Sequence, residues 1–293
     1  MVQVGFIIPF KNFDIINLAN LPIDPINKPP YYYTFVVGGS YKLSAKPEIN
    51  YDFAINDGGI EPILYEVGSN KKLSTFQSGL VLYLPFDEGT GTIAYDLSGY
   101  NAIGTLYNGV QWVDGKMGKA LSFDGVDDYL QINTQYTSNN PLTLCGWFSI
   151  IGDGTDRVGH DEREPLIDRG GEAFALKRHQ SGSKAFVGSN NPSGTGAGWY
   201  GVNNVLLPGS GWLFLCGSVD ESRFLRLYIN GINQSLIRLN GSNPLGRDNL
   251  ASGVTRIGDI GSYSRFYGYA DEVRIYNRAL SDAEIQVLYN ATK

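Results

Sequence analysis

The stretch from Tyr267 to Asn290 constrains the fold more than any other part of this sequence. Its first half alternates apolar and polar residues at the period of a half-buried β-strand, and Asp271 falls on the same predicted face as Val273 and Ile275. Because an isolated carboxylate is costly to bury, Asp271 is expected to be either a hydrogen-bond acceptor for backbone amides or a cation ligand.

A short helix is predicted directly after this strand. Ser281 and Glu284 have the spacing of a capping box, and Leu280 and Ile285 are placed as the hydrophobic staple across the helix start. The chain is therefore expected to end in a strand followed by an amphipathic helix.

Composition favours an all-β protein. The chain of 293 residues contains 37 Gly, 19 Tyr and 14 Phe, and only 18% of its residues are charged. Aromatic residues suit strands, and glycines suit the many turns of a β-sandwich. The net charge of −6 and the lack of a basic cluster in the sequence argue against nucleic acid as a partner.

The N-terminal third divides into two predicted parts. Residues 1–30 carry an apolar run broken by Pro9, Lys11 and Asp14, so we expect neither a signal peptide nor a membrane span there. Four prolines that follow favour an extended arm, although a strand and connection of the next domain would fit equally. Residues 31–78 alternate β-formers with turn signals and predict a small β-domain of about four strands.

The remaining residues, 79–293, are predicted to form one large domain. Five segments occur there in order: GLVLYLPFDEGTGTIAYDLSGYNAIGTLYN from Gly79, GKALSFDGVDDYLQI from Gly118, LTLCGWFSI from Leu142, RFLRLYINGI from Arg223 and DEVRIYNRALS from Asp271. Together they resemble the concanavalin A-like, laminin G-type jelly-roll family. The resemblance implies a jelly-roll β-sandwich, but one fold hosts many functions, so function has to be argued from a site.

The family resemblance implies a structural calcium ion. Its ligands would be Asp96, Ser98 and Asn101 in a loop, joined by Asp271 from the last strand. Oxygen ligands of this kind suit calcium. The alternative is that Asp96 and Ser98 form an Asx-type turn while Asp271 accepts backbone N–H groups.

A second candidate cation site follows the predicted turn at Asp124-Gly125. Asp127 and Asp128 crowd two more carboxylates beside that turn. A different short-range signal, Asn230-Gly231, predicts a type I′ hairpin.

Two cysteines and two tryptophans lie in predicted strands. Cys145 and Cys216 are either bridged, if their strands are neighbours, or buried as free thiols. Trp147 and Trp212 share the parity of these cysteines and are expected in the core.

The segment from Ser181 to Tyr200 carries a candidate ligand-binding site. Asn190, Asn191, Trp199 and Tyr200 supply the amides and aromatic faces that sugar sites use. The alternative is a surface loop without a ligand.

An enzyme on the same jelly roll would be a glycoside hydrolase, which needs two carboxylates about 5.5 Å apart in the retaining mechanism. The nearest acidic cluster contains His160, Asp161, Glu162 and Glu164, and it reads as a solvated loop. We therefore expect no catalytic residue.

Together these features predict a non-catalytic protein that faces the outside, either extracellular or on a particle such as a virion. We expect a glycan or a surface protein as its partner and calcium as a structural cofactor. Two functions remain open: a lectin-like recognition module, and a structural subunit of a virion, appendage or surface layer that assembles through its N-terminal arm.

Overall fold

In a computed structural model, the chain divides into two compact units, Met1–Ser74 and Thr75–Lys293. In the first unit it describes three strands, and in the second it describes residues 79–133, 141–155, 163–169, 174–180, 183–189, 198–241, 254–258 and 265–293. The predicted arm, residues 1–30, lies outside the described residues.

Strands are numbered in chain order, and the first unit contains β1 (Tyr33–Val37), β2 (Tyr41–Ala45) and β3 (Tyr65–Gly68). They form an antiparallel sheet in which β2 lies between β1 and β3.

The second unit is a sandwich of two antiparallel sheets, as the sequence predicts for a jelly roll. Its eight-stranded sheet consists of β4 (Leu80–Leu84), β7 (Gln111–Asp114), β8 (Lys119–Asp124), β10 (Leu142–Ile150), β15 (Trp212–Val219), β16 (Leu225–Ile229), β17 (Ile232–Asn233) and β20 (Tyr267–Tyr276). The order is β17-β16-β15-β10-β20-β8-β7, and β4 also pairs with β20. The first and last strands of the sandwich are thus neighbours.

The second sheet has nine strands: β5 (Ile93–Tyr95), β6 (Ile103–Tyr107), β9 (Tyr129–Asn133), β11 (Arg163–Arg169), β12 (Phe174–His179), β13 (Lys184–Ser189), β14 (Gly198–Val202), β18 (Ile237–Gly241) and β19 (Thr255–Ile257). Their order is β18-β14-β13-β12-β11-β19-β9-β6-β5. Alternate residues of each sheet point inward, and large apolar side chains such as Phe148, Leu130 and Leu176 fill the space between the sheets.

The last strand departs from the simple alternation that the sequence suggests. Glu272 has a φ of +55° at a β-bulge, where β20 carries one residue more than the facing part of β10. The extra residue keeps Ala270 and Val273 in the core and turns Asp271 to the outer face. The prediction that Asp271 shares a face with Val273 is therefore wrong, because the bulge shifts the parity of the strand.

The outer face of the eight-stranded sheet is covered by helix α1 (Asp282–Thr292). The predicted capping box is present, with the Ser281 side chain accepting from Glu284 N. Trp147 is buried under this helix rather than between the sheets, because its Nε1 donates to Thr292 Oγ1 at 2.9 Å and its ring lies 5.7 Å from that of Tyr289.

A disulfide joins Cys145 on β10 to Cys216 on β15, which settles the alternative left open by the sequence. The two strands are direct neighbours, and these cysteines are cross-strand partners.

Trp212, expected in the core, is only half-buried. The predicted Asn230-Gly231 hairpin joins β16 to β17, and both residues have the positive φ of a type I′ turn. Within the described ranges, no helix combines the length and apolar character needed to cross a bilayer.

Candidate functional site

Asp96 is saturated by hydrogen bonds from the protein. Its Oδ1 accepts from the backbone amides of Tyr83 at 2.9 Å and Ser98 at 2.8 Å. Its Oδ2 accepts from Ser98 Oγ at 2.8 Å and from Ala102 N at 3.1 Å. This is the Asx-type arrangement that the sequence left as an alternative, and it fixes the loop between β5 and β6 against the edge of β4.

Asp271 is buried beneath the turn that joins β7 to β8. Its Oδ2 accepts from Met117 N at 2.9 Å, whereas its Oδ1 has no hydrogen-bond partner among the described residues. Burial, and then the neighbouring Glu272 carboxylate, raise the pKa of Asp271 to about 9. Asp271 is therefore held as a neutral carboxylic acid at neutral pH.

The structure does not bring the predicted calcium ligands into one site. Tyr83 N donates to Asp96 Oδ1 and Tyr83 O accepts from Leu97 N, on the edge of β4 that faces away from β20. Asp271 lies on β20 itself, three residues from the partner of Tyr83, and Asn101 is exposed. Because Asp96 also has no free carboxylate oxygen, the observed geometry does not fit one calcium ion held by this set.

The predicted ligand-binding residues are also separated. Trp199 is 1% exposed, and its ring packs edge-on against Phe186 at 5.2 Å with Lys177 Nζ 5.3 Å from its centroid. Its ring is therefore buried against protein side chains, whereas a ring that stacks on a sugar has to be exposed. Tyr200 is half-buried against the core, and residues 190–191, Asn190 and Asn191, lie outside the described residues.

Glu164, expected in a solvated loop, lies on β11 and is fully buried. Both of its carboxylate oxygens accept from Arg178 Nη1 at 2.9 Å, and Gln180 Nε2 donates to Oε1. A second guanidinium nitrogen, Arg178 Nη2, binds Asp153 at 2.7 Å. This cluster tethers the segment after β10, and hydrogen bonds occupy both carboxylate oxygens of Glu164, which opposes a role in acid or base catalysis.

Three tyrosines that the sequence motifs did not point to lie on the outer face of the nine-stranded sheet: Tyr95 and Tyr107 are exposed, and Tyr129 is half-buried. Tyr107 on β6 faces Tyr129 on β9, and their rings stack with centroids 4.7 Å apart and planes at 11°. Tyr95 faces Ile103 across β5 and β6. Tyr95 is 56% exposed, Ile103 46% and Tyr107 37%.

Polar side chains accompany these rings. Arg256 faces Gln131 across β19 and β9, and its Nη2 and Nε donate to Gln131 Oε1 at 2.8 and 3.1 Å. The guanidinium also lies 5.0 Å from the centroid of Tyr129. We call this surface the tyrosine patch and define it by its six outward side chains: Tyr95, Ile103, Tyr107, Tyr129, Gln131 and Arg256.

Strand periodicity explains the tyrosine patch. In β6 the sequence IGTLY buries Gly104 and Leu106, so the residues between and beside them point outward. In β9 the sequence YLQIN buries Leu130 and Ile132 in the same way. The outward tyrosines were visible in the sequence as alternate residues, but only the pairing of β5, β6, β9 and β19 places them side by side.

The second candidate cation site lies where β8 leaves one sheet and β9 enters the other. Three aspartates each offer one carboxylate oxygen there, and these oxygens lie within 4.8 Å of one another: Asp124, Asp127 and Asp128. We call these three residues the acidic loop. Asp128 is 3% exposed, and burial followed by the charges of Asp124 and Asp127 raises its pKa to about 6, against the lowering effect of the Asp124 backbone amide.

Comparisons with solved structures support the fold. The chain resembles the binding domain of Paraclostridial Mosquitocidal Protein 1, with 16% identity and a TM-score of 0.58, over 74% of this chain and 53% of that one. It also resembles the receptor binding domain of botulinum neurotoxin mosaic serotype C/D, with 18% identity, a TM-score of 0.55, and 74% and 51% of the two chains covered.

A third similar structure is the binding domain of botulinum neurotoxin DC in complex with rat synaptotagmin II, with 14% identity, a TM-score of 0.55, and coverage of 74% of this chain and 52% of that chain. This chain thus spans about half the length of the structures it matches. At these identities the likeness concerns the fold alone.

Comparisons at the sequence level give one family. None of the curated proteins matches the chain. The family model for the concanavalin A-like lectin/glucanases superfamily, of the laminin G type, matches residues 124–286, which is more than half of the chain. The chain belongs to the concanavalin A-like lectin/glucanases superfamily.

Proposed function

We propose that this chain is a non-catalytic attachment protein whose jelly roll binds a glycan through the tyrosine patch. The protein faces the outside of a cell or the surface of a particle such as a virion, appendage or surface layer. The observation that carries the proposal is the stacked pair of outward rings, exposed Tyr107 and half-buried Tyr129, beside the Arg256–Gln131 hydrogen bonds.

The tyrosine patch has the two kinds of group that a carbohydrate needs. The apolar C–H face of a sugar ring packs on an aromatic face, while amides and guanidinium groups bind hydroxyls. Tyr107 and Ile103 are four residues apart on β6, so the patch extends about 13 Å along the strand. That length suits a short oligosaccharide better than a single sugar ring.

The rest of the chain favours a neutral ligand that is held rather than cleaved. A net charge of −6 opposes the phosphates of nucleic acid, which would otherwise also stack on exposed aromatic rings. Glu164, the strand-borne acid of the cluster that was weighed and rejected as a hydrolase site, accepts hydrogen bonds from Arg178. The similar structures named above are binding domains, which agrees with a binding role at the level of fold.

A protein ligand is the second candidate, because one of the similar structures is a complex with rat synaptotagmin II. The same exposed side chains of the tyrosine patch would serve as its contact residues.

A glycan array probed with the full chain tests the proposal. We expect binding to a restricted set of oligosaccharides, and we expect Tyr107→Ala to weaken it by at least about tenfold, the equivalent of about 1.4 kcal/mol. The matched control is Phe224→Ala, which removes a ring that is 45% exposed on the turn between β15 and β16 of the other sheet.

Equal loss of binding in the Phe224 variant, or full binding by the Tyr107 variant, would place the glycan elsewhere on the molecule. An array without signal would overturn the glycan proposal. Retention of a surface protein by the full chain, lost in the Tyr107 variant, would then favour the protein ligand.

A further inference from the structure

We infer that the acidic loop, made of Asp124, Asp127 and Asp128, is a binding site for a calcium ion. This is a different place in the fold from the set of residues that the family resemblance indicates, and the inference does not depend on glycan binding. Each of the three side chains offers one carboxylate oxygen, and these oxygens lie within 4.8 Å of one another.

The loop is built so that these oxygens converge. Asp128 Oδ2 accepts from Asp124 N at 3.0 Å, and Asp124 Oδ1 accepts from Val126 N at 2.8 Å. Gly125 O is bound by both the amide and the hydroxyl of Thr155, at 2.7 and 2.8 Å. The turn is thereby fixed from inside and from the segment after β10, which limits the rearrangement needed to bind an ion.

A buried oxygen without a partner points to a ligand. Asp128 is 3% exposed, and its Oδ1 receives no hydrogen bond from the described residues. A carboxylate oxygen buried without a donor is costly, and a bound cation removes that cost. Gly109 lies over this oxygen, since a β-carbon there would come within 3.3 Å of Asp128 Oδ1. The absence of a side chain at Gly109 leaves space beside the oxygen.

The donor set selects the kind of ion. All three groups are carboxylates, which are hard oxygen ligands and suit calcium or magnesium rather than zinc. Asp124 and Asp127 are exposed, so their side chains can adjust, and the remaining positions are open to water. Calcium tolerates such a flexible and partly hydrated shell, whereas magnesium requires a near-ideal octahedron. With three protein carboxylates, we expect a dissociation constant of roughly 0.1–1 mM, in the range of extracellular calcium modules.

The site lies at one end of the tyrosine patch, which provides a direct spectroscopic probe. Tyr129 follows Asp128 in the chain, and Asn108, next to Tyr107, donates through Nδ2 to Asp127 O at 2.9 Å. Terbium binds calcium sites and emits when a nearby aromatic ring is excited. Tyrosine excitation of the full chain should therefore give terbium emission that calcium displaces.

The test is a titration of the full chain with terbium and then with calcium, together with thermal unfolding. We expect saturable terbium emission, displacement by calcium, and a rise in Tm of roughly 4 °C at about 10 mM calcium. Asp127→Asn should abolish all three signals without unfolding the protein, because Asp127 is exposed. The matched control is Glu221→Gln, which removes one exposed acid from the turn between β15 and β16.

Each contrary outcome overturns the inference. Failure to saturate, or unchanged binding by Asp127→Asn, would show that the acidic loop holds no ion. Loss of binding in Glu221→Gln as well would show a response to net charge. Equal displacement of terbium by magnesium and by calcium would contradict the assignment to calcium. Asp128→Asn provides a second variant, which keeps the acceptor for Asp124 N and should bind at least tenfold more weakly than the native chain.

Discussion

At the scale of single residues, Asp271 makes a prediction about pH. Burial holds its pKa at about 9, above its ordinary value of about 3.9, so the folded state retains a proton that the unfolded state has lost. Its favourable contribution to folding is complete below about pH 4 and disappears as the pH rises through about 9. Asp271→Asn keeps an oxygen for Met117 N and should raise the free energy of unfolding at pH 8 by at least about 1.4 kcal/mol.

Urea unfolding at pH 5 and pH 8 measures this difference. The native chain should lose stability between the two values more steeply than the variant. A variant that is less stable than the native chain at pH 8, and that has also lost a calcium response, would instead identify Asp271 as a metal ligand.

For single residues such as Asp271, burial could be predicted from the sequence, but the effects of strand pairing could not. The need to explain a buried acid at Asp271 was visible in the pattern, and the residue is indeed buried. The face of the sheet on which Asp271 lies could not be predicted, because the bulge at Glu272 depends on how β20 pairs with β10. Tyr107 and Tyr129 are likewise ordinary outward residues until strand pairing brings them into contact.

At the scale of elements, the start of helix α1 follows a local rule and was predictable. The Ser281 side chain accepts from Glu284 N, and Glu284 Oε2 accepts from Ser281 N at 2.8 Å. Ser281→Ala should lower the free energy of unfolding by about 1 kcal/mol. Chemical denaturation checks this value against Ser222→Ala, an exposed serine between β15 and β16 that should cost almost nothing. Equal costs for the two variants would contradict the role of the cap.

The disulfide between β10 and β15 makes a second prediction at this scale. It closes a loop with a sequence separation of 71 residues, so its removal should lower the free energy of unfolding by roughly 4 kcal/mol. Denaturation of the Cys145→Ala/Cys216→Ala variant measures the loss. The native chain under reducing conditions should unfold at the same denaturant concentration as the variant, and a loss below about 1 kcal/mol in both would contradict the prediction.

At the scale of the whole molecule, the N-terminal arm and the jelly roll are expected to have separate tasks. The apolar, proline-rich residues 1–30 are proposed to attach the protein to an assembly, and the jelly roll is proposed to bind the ligand. Deleting residues 1–30 should therefore abolish ordered self-association or docking while leaving glycan affinity unchanged. Sedimentation and glycan titration of the truncated chain measure both properties. Assembly that persists without the arm would contradict its role, and a loss of glycan binding would contradict the independence of the jelly roll.

The most direct test of the tyrosine patch is to map a bound glycan onto the chain by NMR, using the oligosaccharide selected on the array. We expect the changes in backbone amide shifts to cluster in β5, β6, β9 and β19, around Tyr107 and Tyr129. Shifts confined to the loops of the other sheet, with those four strands unaffected, would contradict the claim that this outer face is where the protein makes contact.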